Sequence, residues 1–249
     1  MTGQGGPPPR VVVVGDLVTD VLAVLAGPLA PGSDTAATIR IGGGGQAANT
    51  AAWLATQGLP VTLIAVVGDD EPGRSRIAEL TALGVHCAVR RCARTPTGTV
   101  IVLAHGEERT MVAQRGANLR LCPEDVEATL AAVPDARHLH LSGYPLLDET
   151  SRPAGRHALA AARARGLTTS VDAASAEPLQ QAGPEAFLDW IRGVDLLLAN
   201  RDEAAALTGQ RDVETAARTL TAVARHVVVK RGGEGAVWAR RDGPAIRSG

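Results

Sequence analysis

Short β-branched runs alternate with helix-forming stretches along most of this chain. That alternation narrows the fold more than any other feature. Arg10–Gly15 (RVVVVG) is a continuous apolar run and reads as a strand buried on both faces. Similar runs recur at Val61–Val67, His138–Leu141, Thr168–Asp172, Asp195–Ala199 and His226–Lys230. Helical patterns lie between them, at Asn49–Gln57, Arg74–Leu83, Pro123–Ala132, Pro153–Arg165, Arg201–Leu207 and Val213–Ala224. This order predicts an α/β fold: a mostly parallel, Rossmann-like sheet with helices on both faces. Ligands of such sheets collect at the carboxyl ends of the strands, so the residues that follow each strand are the first to inspect.

Two stretches break the rhythm. Val21–Ile41 reads as short strands around Pro28, Pro31 and Gly32, and Thr97–Val112 reads as a hairpin about His105-Gly106-Glu107-Glu108. Together they predict a small β layer on one edge of the main unit. The first nine residues form a Gly/Pro leader, which we expect to be flexible. Composition removes several alternatives. At 45% hydrophobic and 20% charged, the chain is too apolar for a disordered one. No run of eighteen apolar residues is present to span a membrane, and the start lacks the basic and apolar parts of a signal peptide. A net charge of −1 offers no electrostatic footprint for nucleic acid. Cys87, Cys92 and Cys122 are odd in number and form no C-x-x-C, which predicts reduced thiols in a cytoplasm.

The strongest local signal is Gly42-Gly43-Gly44-Gly45-Gln46-Ala47-Ala48-Asn49, followed by a helix. Four glycines remove every side chain between backbone and ligand, and the helix start offers free N–H groups. The same run suits a tight turn. Gly42, Gly44 and Ala47 also satisfy G-x-G-x-x-A, with Asp69 beyond the next strand, so a dinucleotide-dependent oxidoreductase is a rival reading. Asp16 and Asp20 follow the first strand, where carboxylates either accept hydrogen bonds from ligand hydroxyls or cap local backbone. The acids Asp69, Asp70 and Glu71 read as a solvated turn opening a helix, or as a cation site. Asn200-Arg201-Asp202-Glu203 has the form of a capping box, and its place at a strand end leaves Glu203 a second role with hydrated Mg²⁺. Lys230-Arg231-Gly232-Gly233-Glu234-Gly235 suits a tight turn or the close approach of a nucleotide, with Lys230 as a point charge for phosphate. His138 and His140 share a strand face, and without other ligands at metal spacing they read as buried or capping histidines.

In order, these segments resemble the ribokinase-like (PfkB) family of carbohydrate kinases over nearly the whole chain. Gly15 with Asp20 is similar to the family's first-strand motif. Gly44-Gly45-Gln46-Ala47-Ala48-Asn49-Thr50-Ala51 is similar to its G-G-x-x-x-N-x-A signature. Val67-Gly68-Asp69-Asp70 with Gly73, Pro96-Thr97-Gly98, Gly116-Ala117-Asn118, Asn200 with Glu203, and Gly232 with Gly235 follow in the family's sequence of motifs. The resemblance implies a ribokinase-like domain over 10–249, with lid segments at about 21–41 and 97–113 and a homodimer formed through the lid. It implies transfer of the γ-phosphate of ATP, with Mg²⁺, to a hydroxyl of a sugar or nucleoside. Asp20, Gly44, Gly45 and Asn49 would bind the acceptor. Asn200, Lys230, Gly232 and Gly235 would bind the nucleotide, and Glu203 would organise the metal.

Two departures qualify this. Val18 stands where ribokinases proper carry Asn, which puts ribose itself in doubt. The family's D-T-x-G-A-G-D, source of the catalytic Asp and of the phosphoryl-binding N–H groups, does not occur among the 249 residues. The expected base therefore lies beyond Gly249, and no catalytic residue is assigned within the chain. A general base contributes roughly 10²–10⁴ in rate, so little turnover is expected without it. The alternatives carried forward are a non-catalytic sugar- or nucleotide-binding relic and the dinucleotide enzyme.

Overall fold

The structure is a computed structural model that describes residues 8–106, 108–241, 243 and 245–248. Most of the expected leader, the hairpin-tip residue Glu107 and Gly249 lie outside the described residues. The main sheet begins with β1 (Arg10–Val14), β4 (Val61–Gly68) and β5 (His86–Cys92). It continues with β8 (Ala136–Ser142), β9 (Thr168–Asp172), β10 (Val194–Asn200) and β11 (Ala224–Lys230), and ends with β12 (Ala236–Arg240) and β13 (Ile246–Ser248). Its order is β13-β12-β11-β10-β9-β8-β1-β4-β5. The seven strands from β5 to β11 pair in parallel, and β12 and β13 add an antiparallel edge. A second sheet of order β3-β2-β6-β7 holds β2 (Val18–Leu25), β3 (Ala37–Gly44), β6 (Gly98–His105) and β7 (Glu108–Gln114).

The expected β layer is therefore present, but it starts earlier than expected. Asp20 lies within β2, and Gly42–Gly44 close β3 rather than forming a loop. The glycines are extended because β2 pairs with them residue by residue, Val18 opposite Gly44 and Asp20 opposite Gly42. Local propensity disfavours glycine in a strand, and the tertiary ladder overrides it.

Helices α1 (Gln46–Thr56) and α2 (Glu71–Ala82) cover one face of the sheet at its β1–β4–β5 end. Val11, Val13, Leu17, Ala47, Ala51 and Leu63 form the apolar seam there. Five longer helices lie on the opposite face: α3 (Pro123–Ala132), α5 (Arg152–Ala164), α7 (Pro184–Ile191), α8 (Arg201–Thr208) and α9 (Val213–Leu220). The short α4 (Tyr144–Leu147) and α6 (Ala176–Ala182) accompany them. Leu139, Leu141, Phe187, Leu197 and Val227 fill the core on that side. β5, α4, α6 and α7 carry weak sequence signals. β5 is a mixed polar edge strand, and the three helices span only 4, 7 and 8 residues.

Strand register gives the first face a second character. His138 and His140 pair with Val11 and Val13, so they share the face of the α1 seam, and Ser170 and Asp172 continue it on β9. The apolar core on that face ends at β1, and polar side chains take over.

Candidate functional site

The carboxyl edge of the sheet brings together the ends of β1, β9, β10 and β11 and the start of α1. Gly45 caps α1 at φ 105°, a conformation that favours glycine, and a Cβ there would stand 2.5 Å from the Asp16 carbonyl oxygen. The cap side chain comes from elsewhere in the chain. Buried Asp16 accepts hydrogen bonds from the N–H groups of Gln46 (3.0 Å) and Ala47 (3.3 Å), and Ser142 Oγ donates to it at 3.0 Å. Of the two acids after β1, Asp16 is thus the capping one.

Asp20 is the freer acid. Its carboxylate lies directly over Gly44, where a Cβ would meet its atoms at 2.1–2.2 Å. Gly44 is therefore a spatial requirement of Asp20. Burial holds the Asp20 carboxyl above the ordinary range, the charge of Asp16 adds to this, and the Arg76 guanidinium opposes it. Arg76 of α2 is itself buried. Its Nη2 donates to Glu79 at 2.5 Å, while Nε and Nη1 are buried with no protein partner among the described residues. Sequence reading missed Arg76, because one arginine on a helix with many charges carries no signal of burial. Asn49 is exposed in the first turn of α1, and its backbone N–H bonds to Gly45.

Across the crevice, Asn200 and Glu203 form the expected capping box. Asn200 N–H donates to Glu203 Oε2 at 2.7 Å, its Nδ2 donates to Oε1 at 2.7 Å, and Glu203 N–H donates back to Asn200 Oδ1 at 2.8 Å. Glu203 is only 4% exposed. Burial pushes its carboxyl up, against the Asn200 hydrogen bonds that hold it down. Gly232 and Gly235 shape the turn after β11 at φ 62° and 80°. A cleft of about 230 Å³ opens on the α9 side of this turn. There Arg201 and Arg231 share Glu234, at 3.0 and 3.7 Å, and Arg247 pairs with Glu214.

The link between the two sides is Asp172 at the end of β9, 7% exposed. Its Oδ2 accepts from Lys230 Nζ at 2.8 Å and its Oδ1 from Gln46 Nε2 at 2.6 Å. Sequence reading placed Asp172 as the last residue of a strand and gave it no role. An acid closing an apolar run at the ligand edge was the available signal. No hydrogen bond among the described residues joins the Asp20–Gly44 pair directly to Asn200 and Glu203.

Other motif residues act as staples. Asp70 caps α2 through Gly73 N–H (2.9 Å) and accepts from Thr97 N–H (2.8 Å) and Thr97 Oγ1 (2.5 Å), fixing the base of β6. Burial raises the Asp70 carboxyl, but these hydrogen bonds outweigh it and the net shift is downward. Asn118 clamps Leu17, accepting from its N–H at 2.9 Å and donating to its carbonyl at 3.2 Å. Half-buried His138 and buried His140 both contact Ser170 Oγ at 2.8 Å. Among the described residues no group of three or more His, Cys, Asp or Glu side chains converges as a metal cluster.

The chain is 34% identical over 188 residues to a 2-dehydro-3-deoxygluconokinase of Thermoproteus tenax, matching 72% of this chain and 57% of that protein. It is 31% identical over 202 residues to an ATP-dependent ribose-1-phosphate kinase of Halopiger xanaduensis, matching 80% of this chain and 64% of that one. The chain thus spans less than two thirds of the length of these curated relatives. Among solved structures, the adenosine kinase of Sinorhizobium meliloti superposes with a TM-score of 0.83 at 25% identity, covering 97% of this chain and 80% of its own. A PfkB protein of Polaromonas superposes at 0.77 with 28% identity, covering 96% and 82%. The family model for pfkB carbohydrate kinases matches residues 8–248, a span that takes in both sheets and every motif of the crevice, and the chain belongs to that family.

Proposed function

We propose that this chain builds the acceptor and nucleotide sites of an ATP-dependent sugar kinase, which passes the γ-phosphate to a hydroxyl of a sugar or nucleoside. The observation that carries this reading is Asp172, whose hydrogen bonds at 2.6 and 2.8 Å tie the glycine-turn helix to the one lysine of the chain. Two signatures far apart in sequence thereby face one crevice at the ligand edge of the sheet.

The roles follow from the chemistry. Asp20, ionised, accepts hydrogen bonds from acceptor hydroxyls, Arg76 brings spare donors beside it, and Asn49 presents an amide from α1. Gly44 and Gly45 leave room for a ring against the backbone. Lys230 neutralises phosphate charge, and the Gly232–Gly235 turn lets phosphates approach the main chain. Glu203, with the lone pairs that Asn200 leaves open, suits water-mediated Mg²⁺, which takes one or two carboxylates alongside phosphates and water. Bound there, Mg²⁺ would supply charge neutralisation for the transferred phosphoryl group. The relatives named for 2-dehydro-3-deoxygluconate and ribose 1-phosphate support a polyhydroxylated acceptor. With no D-T-x-G-A-G-D among these residues, we expect ligand binding with little turnover.

The small sheet serves as the lid. Its face away from Asp20 exposes Ile39 (63%), Ile41 (70%), Ile101 (41%) and Val112 (58%), which supports a homodimer through the lid. Ile41→Glu would then halve the mass seen by light scattering, and a monomeric wild type would refute the dimer. No helix among the described residues is long and apolar enough to cross a membrane.

The test is thermal shift and calorimetry of the 249-residue chain with Mg²⁺ and AMP-PNP, and with a panel of sugars, sugar acids, sugar phosphates and nucleosides. ADP release is then assayed with ATP. Stabilisation by AMP-PNP and by at least one acceptor supports the reading. Absence of both overturns it, and nicotinamide or flavin binding instead would favour the oxidoreductase.

A further inference from the structure

We propose that Asp172 is a positioning residue that couples the acceptor and nucleotide sites, with Gln46 and Lys230 as its two arms. This rests on the kinase reading above.

An ionised carboxylate can only accept, so Gln46 must turn its NH₂ group toward Asp172 Oδ1. That choice sends the amide oxygen of Gln46 the other way. Gln46 Oε1 is buried and has no protein partner among the described residues. A buried acceptor of this kind calls for a donor, and an acceptor hydroxyl is the donor a sugar supplies. Gln46 stands three residues before Asn49, on the same side of the first turn of α1. The orientation of one acceptor-side group is therefore set by Asp172.

The other arm is movable. Asp172 Oδ2 holds Lys230 Nζ at 2.8 Å, yet half of the Lys230 side chain is exposed, so its ammonium can exchange this carboxylate for a phosphate. Asp172, with a side chain only 10% exposed, then loses its cation and keeps Gln46 and the backbone N–H of Ala174, at 2.6 and 3.2 Å. An uncompensated buried carboxylate grips its remaining donors harder. Ala174 is the only non-glycine described residue with positive φ, 78°, so the loop after β9 stores strain beside that carboxylate. Nucleotide binding thus fixes Gln46 and favours the acceptor. By linkage, the acceptor favours the nucleotide equally.

Lys230 is the only lysine in the sequence, so ¹³Cε-lysine labelling gives one side-chain resonance to follow. The probes are AMP-PNP with Mg²⁺ and the panel member that most stabilises the wild type. In the wild type, AMP-PNP is expected to tighten acceptor binding about fivefold or more, and acceptor alone to move the Lys230 resonance. In Asp172→Asn, which keeps shape and loses charge, the coupling should fall to within about 1.5-fold of unity. Gln46→Ala keeps the Asp172–Lys230 pair. It should still show the Lys230 response to AMP-PNP and lose the response to acceptor. A merely structural Asp172 would change melting temperature and leave the coupling factor alone. Equal coupling in wild type and Asp172→Asn, or a Lys230 resonance indifferent to acceptor in the wild type, overturns the proposal. If Asp172→Asn does not fold, Gln46→Ala decides by the same resonance. A wild type that binds neither probe overturns the kinase reading, and this proposal with it.

Discussion

His140 makes stability depend on pH in a way that can be worked out from its surroundings. It is 5% exposed, its Nδ1 contacts Ser170 Oγ at 2.8 Å, and its Nε2 is buried with no protein partner among the described residues. Protonation would place an N–H where nothing accepts it. Burial is the main cause that pushes the imidazole pKa down from 6.5 to about 4; His138 and Lys230 add repulsion, and Asp172 opposes them. The unfolded chain takes the proton near pH 6.5 and the folded chain only near pH 4, so stability falls as pH drops through that window. At about 1.4 kcal/mol per pH unit, the full effect is about 3.5 kcal/mol, of which about 2.5 kcal/mol is lost by pH 4.5. The measurement is urea unfolding by circular dichroism at several pH values between 7.5 and 4.5, for wild type and His140→Gln. Carboxylates and His138 titrate in both proteins, so the difference between the two curves isolates His140. The wild type should lose about 2.5 kcal/mol more than the variant across that range. Parallel curves, agreeing within about 0.5 kcal/mol, would show that His140 takes up its proton in the folded state at an ordinary pH, and the reasoning from its buried Nε2 would fail.

Gly44→Ala puts a methyl where the Asp20 carboxylate lies, 2.1–2.2 Å away, so acceptor affinity by calorimetry should drop about tenfold or more with AMP-PNP affinity unchanged. Burial raises the Asp20 carboxyl, so acceptor binding should weaken on acidification at a higher pH than an ordinary aspartate gives. Asp20→Asn should bind weakly with no such pH dependence, and an unchanged profile would exclude Asp20 from the site. Asn200→Ala removes the side-chain half of the α8 capping box and the Nδ2 donor to buried Glu203, which keeps only the backbone N–H of residue 200, at a cost of about 2 kcal/mol in urea unfolding.

The fold was legible wherever burial is continuous. Arg10–Val14 and Thr168–Asp172 are strands flanked by core on at least one face, and their β-branched runs announce them. Pro123–Ala132 was bounded to the residue because Pro123, Glu124 and Asp125 mark a helix start by mechanism. The glycines of β3 were not legible as a strand, since only their ladder with β2 extends them. The helical pattern over Val213–Ala224 overruns α9, because Thr221–Val223 form a turn that buries Thr221 and Val223, and Ala224 already starts β11. In the site, Asp20, Gly44, Asn200 and Lys230 stood inside recognisable motifs. Arg76 and Asp172 did not, because what distinguishes them is burial and partners brought from other elements.

That division bears on what the motifs signify. Asp70 with Thr97, Asn118 with Leu17 and Asn200 with Glu203 spend their hydrogen bonds on the protein itself, joining the lid to the main sheet and starting helices. Such residues are demanded by the fold, whatever the ligand, and their order along the chain therefore identifies architecture. Selectivity must reside in the groups with unspent capacity: Asp20, the Nε and Nη1 of Arg76, and the amide oxygen of Gln46. Two of these three lie in positions that no motif singles out by role. A buried donor or acceptor without a protein partner costs about 1–3 kcal/mol, and a ligand that supplies the missing partner recovers it. The identity of the acceptor is thus written less in the shared motifs than in the geometry of these open groups, and variants at Arg76 and Gln46 should change which sugar binds before they change whether the chain folds.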